Sequence, residues 1–407
     1  MGIGLGLMPL GWADERAGVV LDEVWEAVAK FHYDPGFAAK NRERLYEAFR
    51  PEVLLTKSDG DLAAVLNRML RQIGDSHIVL YPPPGVATDA VKRKLAEGAA
   101  QVAADGGFAV LNVGGRVLVG GIVPGSGAEK AGLRMGDEIL AVDEIAIRPE
   151  EPIYPAWSYQ ARALLGHGEP GSLLKLQVKS GGEVRELEFP RRANGGKFFQ
   201  VGYMPRLATV YESRMLDGDI GYVKFNIFAP EAVMALRRDL KEKLTGAKAL
   251  VIDLRGNPGG MIDSALWMVS WLSPKEIDLG KMKVAGTTLE LKSTPQKRSF
   301  SGKLAVLTDG DSASCAEIVA AAVQDAQAGK IVGGKTPGFC LPSQFIELPS
   351  GFRLQTVLGD CVRANGGRIE GVGVTPDIEA PATPEGLSAG RDQGLEAAVA
   401  ELKRELK

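Results

Sequence analysis

Asp311-Ser312-Ala313-Ser314-Cys315-Ala316-Glu317-Ile318 lies between two apolar runs, Leu304-Ala305-Val306-Leu307 and Ile318-Val319-Ala320-Ala321-Ala322-Val323. The first run predicts a strand and the second a helix, joined through the turn residues Thr308-Asp309-Gly310-Asp311. A hydroxyl on such a junction is exposed. The helix start behind it offers backbone N–H groups with no intrahelical acceptor, and these suit a developing oxyanion. On this segment alone an ordinary N-cap serine reads the same way, so the rest of the chain has to decide.

Working outward, the segment from about 200 to 380 alternates strand and helix signals. Ile220 to Phe225 predicts a strand and Pro230 to Leu244 a helix. Ala249-Leu250-Val251-Ile252-Asp253-Leu254 is a continuous apolar strand, as expected where both faces of a sheet are covered. It ends in Arg255-Gly256-Asn257-Pro258-Gly259-Gly260, followed by another helix. The reading is a layered α/β core. Ligands in such cores bind outside the carboxyl ends of the strands, which brings loop 255–260 and loop 311–317 into one place. Glycines let the backbone approach a reacting atom. The N–H groups of Gly259 or Gly260 would complete an oxyanion hole with that of Cys315, although a tight turn also explains the glycines.

Ahead of this core, residues 14–85 read as an N-terminal helical domain, with Leu62, Val65, Leu66, Met69, Leu70 and Ile73 at helical spacing. Residues 100–193 change to short strands and glycine turns, and residues 381–407 read as a C-terminal helix or tail. The chain has 407 residues, 45% apolar and 24% charged, with a formal net charge of −3 and no basic patch. Nucleic acid is therefore not an expected partner. Cys315, Cys340 and Cys361 make no disulfide framework, though Cys340 and Cys361 could pair across a hairpin, and three histidines form no metal-ligand cluster. The apolar start, residues 1–13, is too short to span a bilayer; it reads as the end of a signal peptide or an artificial leader.

Residues 123–143, from Val123-Pro124-Gly125-Ser126 through Gly136-Asp137-Glu138-Ile139 to Asp143, resemble a PDZ domain. That resemblance implies strand addition of a peptide end, with a carboxylate-binding loop at Gly106-Gly107-Phe108. Together with residues 249–260 and 312–325, it makes the chain resemble the C-terminal processing (tail-specific) protease family, with Ser314 at the nucleophile position. The family's usual general base is a lysine about 25 residues downstream. Here that position is Phe339, and Lys335 lies four residues early.

Another base is then needed. His32 sits at a helix end, where capping or packing suffices. His167 sits in Gly166-His167-Gly168, inside the segment resembling a PDZ domain. His77, in Gly74-Asp75-Ser76-His77, resembles the base segment of the tricorn core proteases, a sister branch. In that branch a glutamate near the end of the core orients the histidine, and Glu370 in Gly367-Arg368-Ile369-Glu370-Gly371 matches it. The resemblance implies a Ser314–His77–Glu370 triad with Ser76 assisting. It implies a serine peptidase acting on proteins or peptides without metal or cofactor, in the periplasm or exported, with an adaptor at the PDZ segment and a homo-oligomer both compatible. A silent binding protein on the same scaffold, like the modules of the interphotoreceptor retinoid-binding protein, is the alternative suggested by Phe339. An acyl-CoA hydratase reading lacks a nucleotide-binding loop.

Overall fold

The computed structural model describes residues 10–34, 36–83, 104–147, 165, 168–199, 207–284 and 286–407. Among the described residues no helix is long and apolar enough to cross a membrane.

The apolar run Ala249–Asp253 forms a strand in a six-stranded sheet. Its order is Tyr211–Leu216, Ile220–Phe225, Ala249–Asp253, Lys303–Thr308, Lys330–Gly333, Ile378–Glu379. The first pair is antiparallel and the others are parallel. Strand side chains alternate between faces, and here both faces are buried. Leu250, Ile252, Leu304 and Val306 pack under the helices Pro230–Glu242, Ile262–Leu272 and Cys315–Asp325. Val251, Ala305, Leu307 and Val332 pack under the C-terminal helix Gln393–Glu405. Each fully buried aliphatic side chain contributes about 1.5–3 kcal/mol, so this sandwich holds its strand ends rigidly. Asp253 pairs with Leu307 across adjacent parallel strands, and the loops that follow them emerge side by side. Ser312 Oγ–H donates to the Leu254 carbonyl at 2.9 Å and Ala313 N–H to the Asn257 carbonyl at 3.0 Å, stitching the two loops together.

The N-terminal region is helical, as its periodicity predicts. The helix Asp59–Arg71 starts at Ser58, whose Oγ accepts the Asp61 N–H at 3.1 Å. After it, Gly74 at φ +87° turns the chain, which runs through residues 75–78 into the strand Val79–Tyr81. That strand pairs antiparallel with Arg353–Val357, itself paired with Ser343–Glu347. Leu21, Leu66 and Leu80 share one core with Leu341, Phe352 and Leu354. The helical region is thus joined to the C-terminal half of the chain by a sheet and a common core.

Between them, Phe108–Val113, Arg116–Ile122, Glu138–Val142, Leu173–Ser180 and Glu183–Pro190 form an antiparallel sheet with the short helix Gly127–Lys130. Its own core includes Val119, Leu174 and Val178. Leu387 packs with Leu111 and Leu118, docking this unit on the segment that follows the core sheet. His167 and most of the insertion at 149–171 lie outside the described residues.

Candidate active site

Ser314 stands at the end of the stitched loop, directly before the helix Cys315–Asp325. Its backbone is at φ +55°, ψ −121°. An N-cap serine takes extended backbone, so ordinary capping does not account for this residue. Backbone in this region costs about 1–3 kcal/mol and is kept only where the surroundings enforce it. Two contacts enforce it here. The Ser314 N–H donates to the Phe339 carbonyl at 2.7 Å and to Glu317 Oε2 at 3.3 Å. Residues 311–313 are buried, whereas Ser314 is part-exposed.

Glu317 is fully buried and accepts from three further donors: Thr336 Oγ–H at 2.5 Å, Gly338 N–H at 2.8 Å and Phe339 N–H at 2.7 Å. Burial pushes its carboxyl up to about 7, against the pull of these donors. Its role escaped the sequence reading, yet a signal was there: Ser314-Cys315-Ala316-Glu317 has the spacing of a capping box. The carboxylate ties the nucleophile loop to residues 336–339, the segment where a lysine was expected. Phe339 therefore engages Ser314 through its backbone, and Lys335 is exposed.

The next residue continues the chain of contacts. Cys340 N–H donates to Glu370 Oε2 at 2.7 Å, and Ser76 N–H donates to Glu370 Oε1 at 2.9 Å. Ser76 Oγ lies 3.0 Å from Glu370 Oε2 and 2.6 Å from His77 Nδ1. All three side chains are buried. The triad as expected has Glu370 orienting His77, but the hydrogen bonds of Glu370 run to Ser76, which stands between. One hydroxyl proton serves two contacts. Glu370, already accepting two N–H groups, takes that proton from Ser76, so Ser76 Oγ must accept from His77 Nδ1–H. This assigns the tautomer and leaves Nε2 with the lone pair. Burial lowers the His77 imidazole to about 3, so it is neutral at ordinary pH, and burial raises the Glu370 carboxyl above its usual range.

Of the two glycine amides expected at an oxyanion hole, Gly259 is already committed. Its N–H donates to Asn257 Oδ1 at 2.9 Å and the residue is buried. Gly260 is exposed, and no acceptor among the described residues takes its N–H or that of Cys315. Gly259 serves by its lack of a side chain: at φ +105°, a Cβ there would lie 2.6 Å from Ser314 Cβ and 3.0 Å from the Cys315 nitrogen. The Cys315 thiol is poorly placed to act as a nucleophile. It is buried, its Sγ donates to the Gly260 carbonyl at 3.2 Å, and burial pushes the thiol up to about 12. Cys340 and Cys361 are both free, so the pairing across a hairpin is not formed. Among the described residues no group of side chains has the makings of a metal site.

Far from this site, Gly107 N–H donates to Asp105 Oδ1 at 2.7 Å and its carbonyl accepts the Val123 N–H at 2.8 Å. Gly106 packs on Phe108, the first residue of its strand. The Gly107 amide, expected to meet a peptide carboxylate, is thus engaged within its own loop.

Residues 219–380 match the model of peptidase family S41. This chain is a serine-type peptidase. It is 28% identical over 369 residues to the chloroplastic carboxyl-terminal-processing peptidase 1 of Arabidopsis thaliana, spanning 88% of this chain and 71% of that one. It is 26% identical over 268 residues to the carboxy-terminal processing protease CtpA of Bacillus subtilis, covering 65% of this chain and 53% of the relative. The solved tricorn protease shares its fold, with a TM-score of 0.58 and 19% identity over 97% of this chain and 37% of that one. The segment that matches the S41 model contains Ser314, Glu317, Phe339 and Glu370, whereas Ser76 and His77 reach it from outside that segment.

Proposed function

We propose that this S41 peptidase hydrolyses peptide bonds through Ser314, with His77 as the base and Ser76–Glu370 as its orienting relay. The observation that carries this reading is the run of hydrogen bonds from Ser314 through residues 339–340 to Glu370, Ser76 and His77 Nδ1. In the proposed sequence Ser314 Oγ attacks the carbonyl carbon and its proton passes to His77 Nε2. The oxyanion takes hydrogen bonds from the Gly260 and Cys315 amides. The tetrahedral intermediate collapses as His77 returns the proton to the leaving amine. Water then hydrolyses the acyl ester by the same base. The Ser76–Glu370 relay offsets the cost of forming imidazolium in a buried site.

Substrates on this reading are proteins or peptides. The strand Phe108–Val113 pairs with Arg116–Ile122 among the described residues, and the similarity of this segment to a PDZ domain supports recognition of an extended peptide by strand addition. The deciding experiment is fluorophosphonate labelling. The wild type should label on Ser314, and Ser314→Ala and His77→Ala should each lose about 10⁴-fold or more in rate. Wild-type labelling by His77→Ala would refute the base assignment, and an unlabelled wild type would favour a silent binding protein.

A further inference from the structure

Directly before Ser76–His77 stands Asp75, and it is gripped from a second histidine. His32 Nε2 lies 2.8 Å from Asp75 Oδ2. Tyr33 O–H donates to Asp75 Oδ1 at 3.3 Å. The tautomer of His32 is fixed by its other nitrogen: Asp34 N–H donates to His32 Nδ1 at 3.0 Å, so the ring proton sits on Nε2 and is given to Asp75. The ring has no freedom to turn away. It stacks on Tyr33 at 4.6 Å and 17° and on Phe37 at 4.1 Å and 21°, with 4% of its side chain exposed. Phe37 is itself buried in the helical core against Trp25. The last turn of the helix Leu10–Phe31 is thereby coupled to residue 75 through one directed hydrogen bond.

Capping or packing would have been enough for a histidine at that helix end, and neither requires a carboxylate partner 43 residues away. The placement of that carboxylate gives it a use. Glu370 holds Ser76 by its N–H and hydroxyl from one side. His32 holds Asp75 from the other. Between the two grips the peptide Asp75–Ser76 cannot rotate, and the Ser76 hydroxyl stays aimed at His77 Nδ1. Asp75 and Glu370 are close enough that the Asp75 charge adds to the upward push on the Glu370 carboxyl that burial begins. Two neighbouring anions repel, so without donors on Asp75 the turn would relax away from Glu370.

We infer that His32 and Asp75 are positioning residues for His77, a second histidine–carboxylate pair placed behind the proposed base. This rests on the proposed function and deepens it. The test is the saturation kinetics of Ser314 labelling by a fluorophosphonate on the full chain, with melting temperature measured alongside. His32→Phe keeps the stacked ring and removes the donor. It should lower the maximal labelling rate about 10- to 100-fold, as outer-shell partners do, with the half-saturating concentration changed less than about threefold. His32→Gln puts an amide N–H near the place of Nε2 and should recover most of that loss. Asp75→Ala removes the same bond together with the Tyr33 contact and should be at least as slow as His32→Phe, and the double variant should be no slower than Asp75→Ala alone, because the bond is already gone.

Wild-type labelling by His32→Phe, His32→Gln as slow as His32→Phe, or losses that multiply in the double variant would each overturn the inference. If His32→Phe fails to fold, His32→Gln and Asp75→Ala carry the comparison. The two readings fail separately. A His77→Ala protein that labels normally removes the base itself, whereas a dead His77→Ala beside a normal His32→Phe removes only the positioning pair.

Discussion

Replacing Ser76 with alanine isolates the relay, because it deletes one oxygen and keeps every backbone contact. Ser76 Oγ makes two of the short contacts of the site, 2.6 Å to His77 Nδ1 and 3.0 Å to Glu370 Oε2. In Ser76→Ala the His77 Nδ1–H loses its acceptor in a buried place, while Glu370 keeps the Ser76 and Cys340 amides. Leaving one buried donor unsatisfied costs about 1–3 kcal/mol. The imidazole can escape that cost by moving its proton to Nε2, which removes the lone pair the mechanism needs. A base in the wrong tautomer loses up to ~10⁴ in turnover where the orienting group is the carboxylate itself. Here Glu370 remains, one hydroxyl farther off, so a loss of about 10²–10³ in the labelling rate of Ser314 is expected, equal to ~3–4 kcal/mol of barrier.

The assay is the pseudo-first-order labelling rate at saturating fluorophosphonate, read with the melting temperature and with ¹⁵N shifts of His77. The wild type should show the Nδ1–H tautomer, and Ser76→Ala should show a shift toward Nε2–H. A labelling rate within about threefold of wild type, with the tautomer unchanged, would refute the relay and leave Glu370 as a loop anchor only.

Gly259→Ala places a Cβ 2.6 Å from Ser314 Cβ at a backbone φ of +105°; labelling should fall by about 10²-fold with a loss of ~1–3 kcal/mol in urea unfolding, and a variant that labels like wild type would show that the loop has room to spare. Burial holds the folded His77 near 3 against an unfolded value of about 6.5, so the unfolded chain gains a proton first as pH falls and the contribution of this group, complete above about 6.5, is lost toward pH 3. Between about pH 6.5 and 5 the loss is ~2 kcal/mol, so the stability difference between wild type and His77→Gln should shift by that amount over the interval; parallel pH profiles would refute the buried neutral imidazole.

The strands of the core were legible because their burial is two-sided. Ala249–Asp253 and Lys303–Thr308 are apolar runs that need no partner to be recognised, and the helix after Ser314 begins three residues before the run that announced it. The pairing of Val79–Tyr81 with Arg353–Val357 was not legible. A three-residue strand has too few alternations to stand out, and its partner lies far along the chain, with Val79 opposite Gln355. His77 and Glu370 were legible only as types at motif positions; no local pattern tells that a serine intervenes between them. The Gly259 amide was misjudged for a related reason. Its commitment to Asn257 is an Asx turn inside Asn257-Pro258-Gly259, and such turns use the side-chain acceptor two residues back, which competes directly with a role in oxyanion binding.

Phe339 then acquires a consistent explanation. Residues 338–340 contribute backbone to the contacts around Ser314 and Glu370: the amides of Gly338 and Phe339 to Glu317, the Phe339 carbonyl to Ser314, and the Cys340 amide to Glu370. These bonds are made by the backbone, so the contacts of Ser314 do not depend on a lysine at 339. His77, the proposed base, comes with its own support, a strand and a buried core shared between residues 17–80 and 341–357. Two buried carboxylates divide the work. Glu317 holds the Ser314 backbone from within the helix that follows it, and Glu370 joins residue 340 to the N-terminal turn. Because Cys340 follows Phe339 directly, a shift of this loop would move the acceptor of Ser314 and the donor to Glu370 together. Nucleophile and proposed base are thus adjusted through a single short segment of backbone.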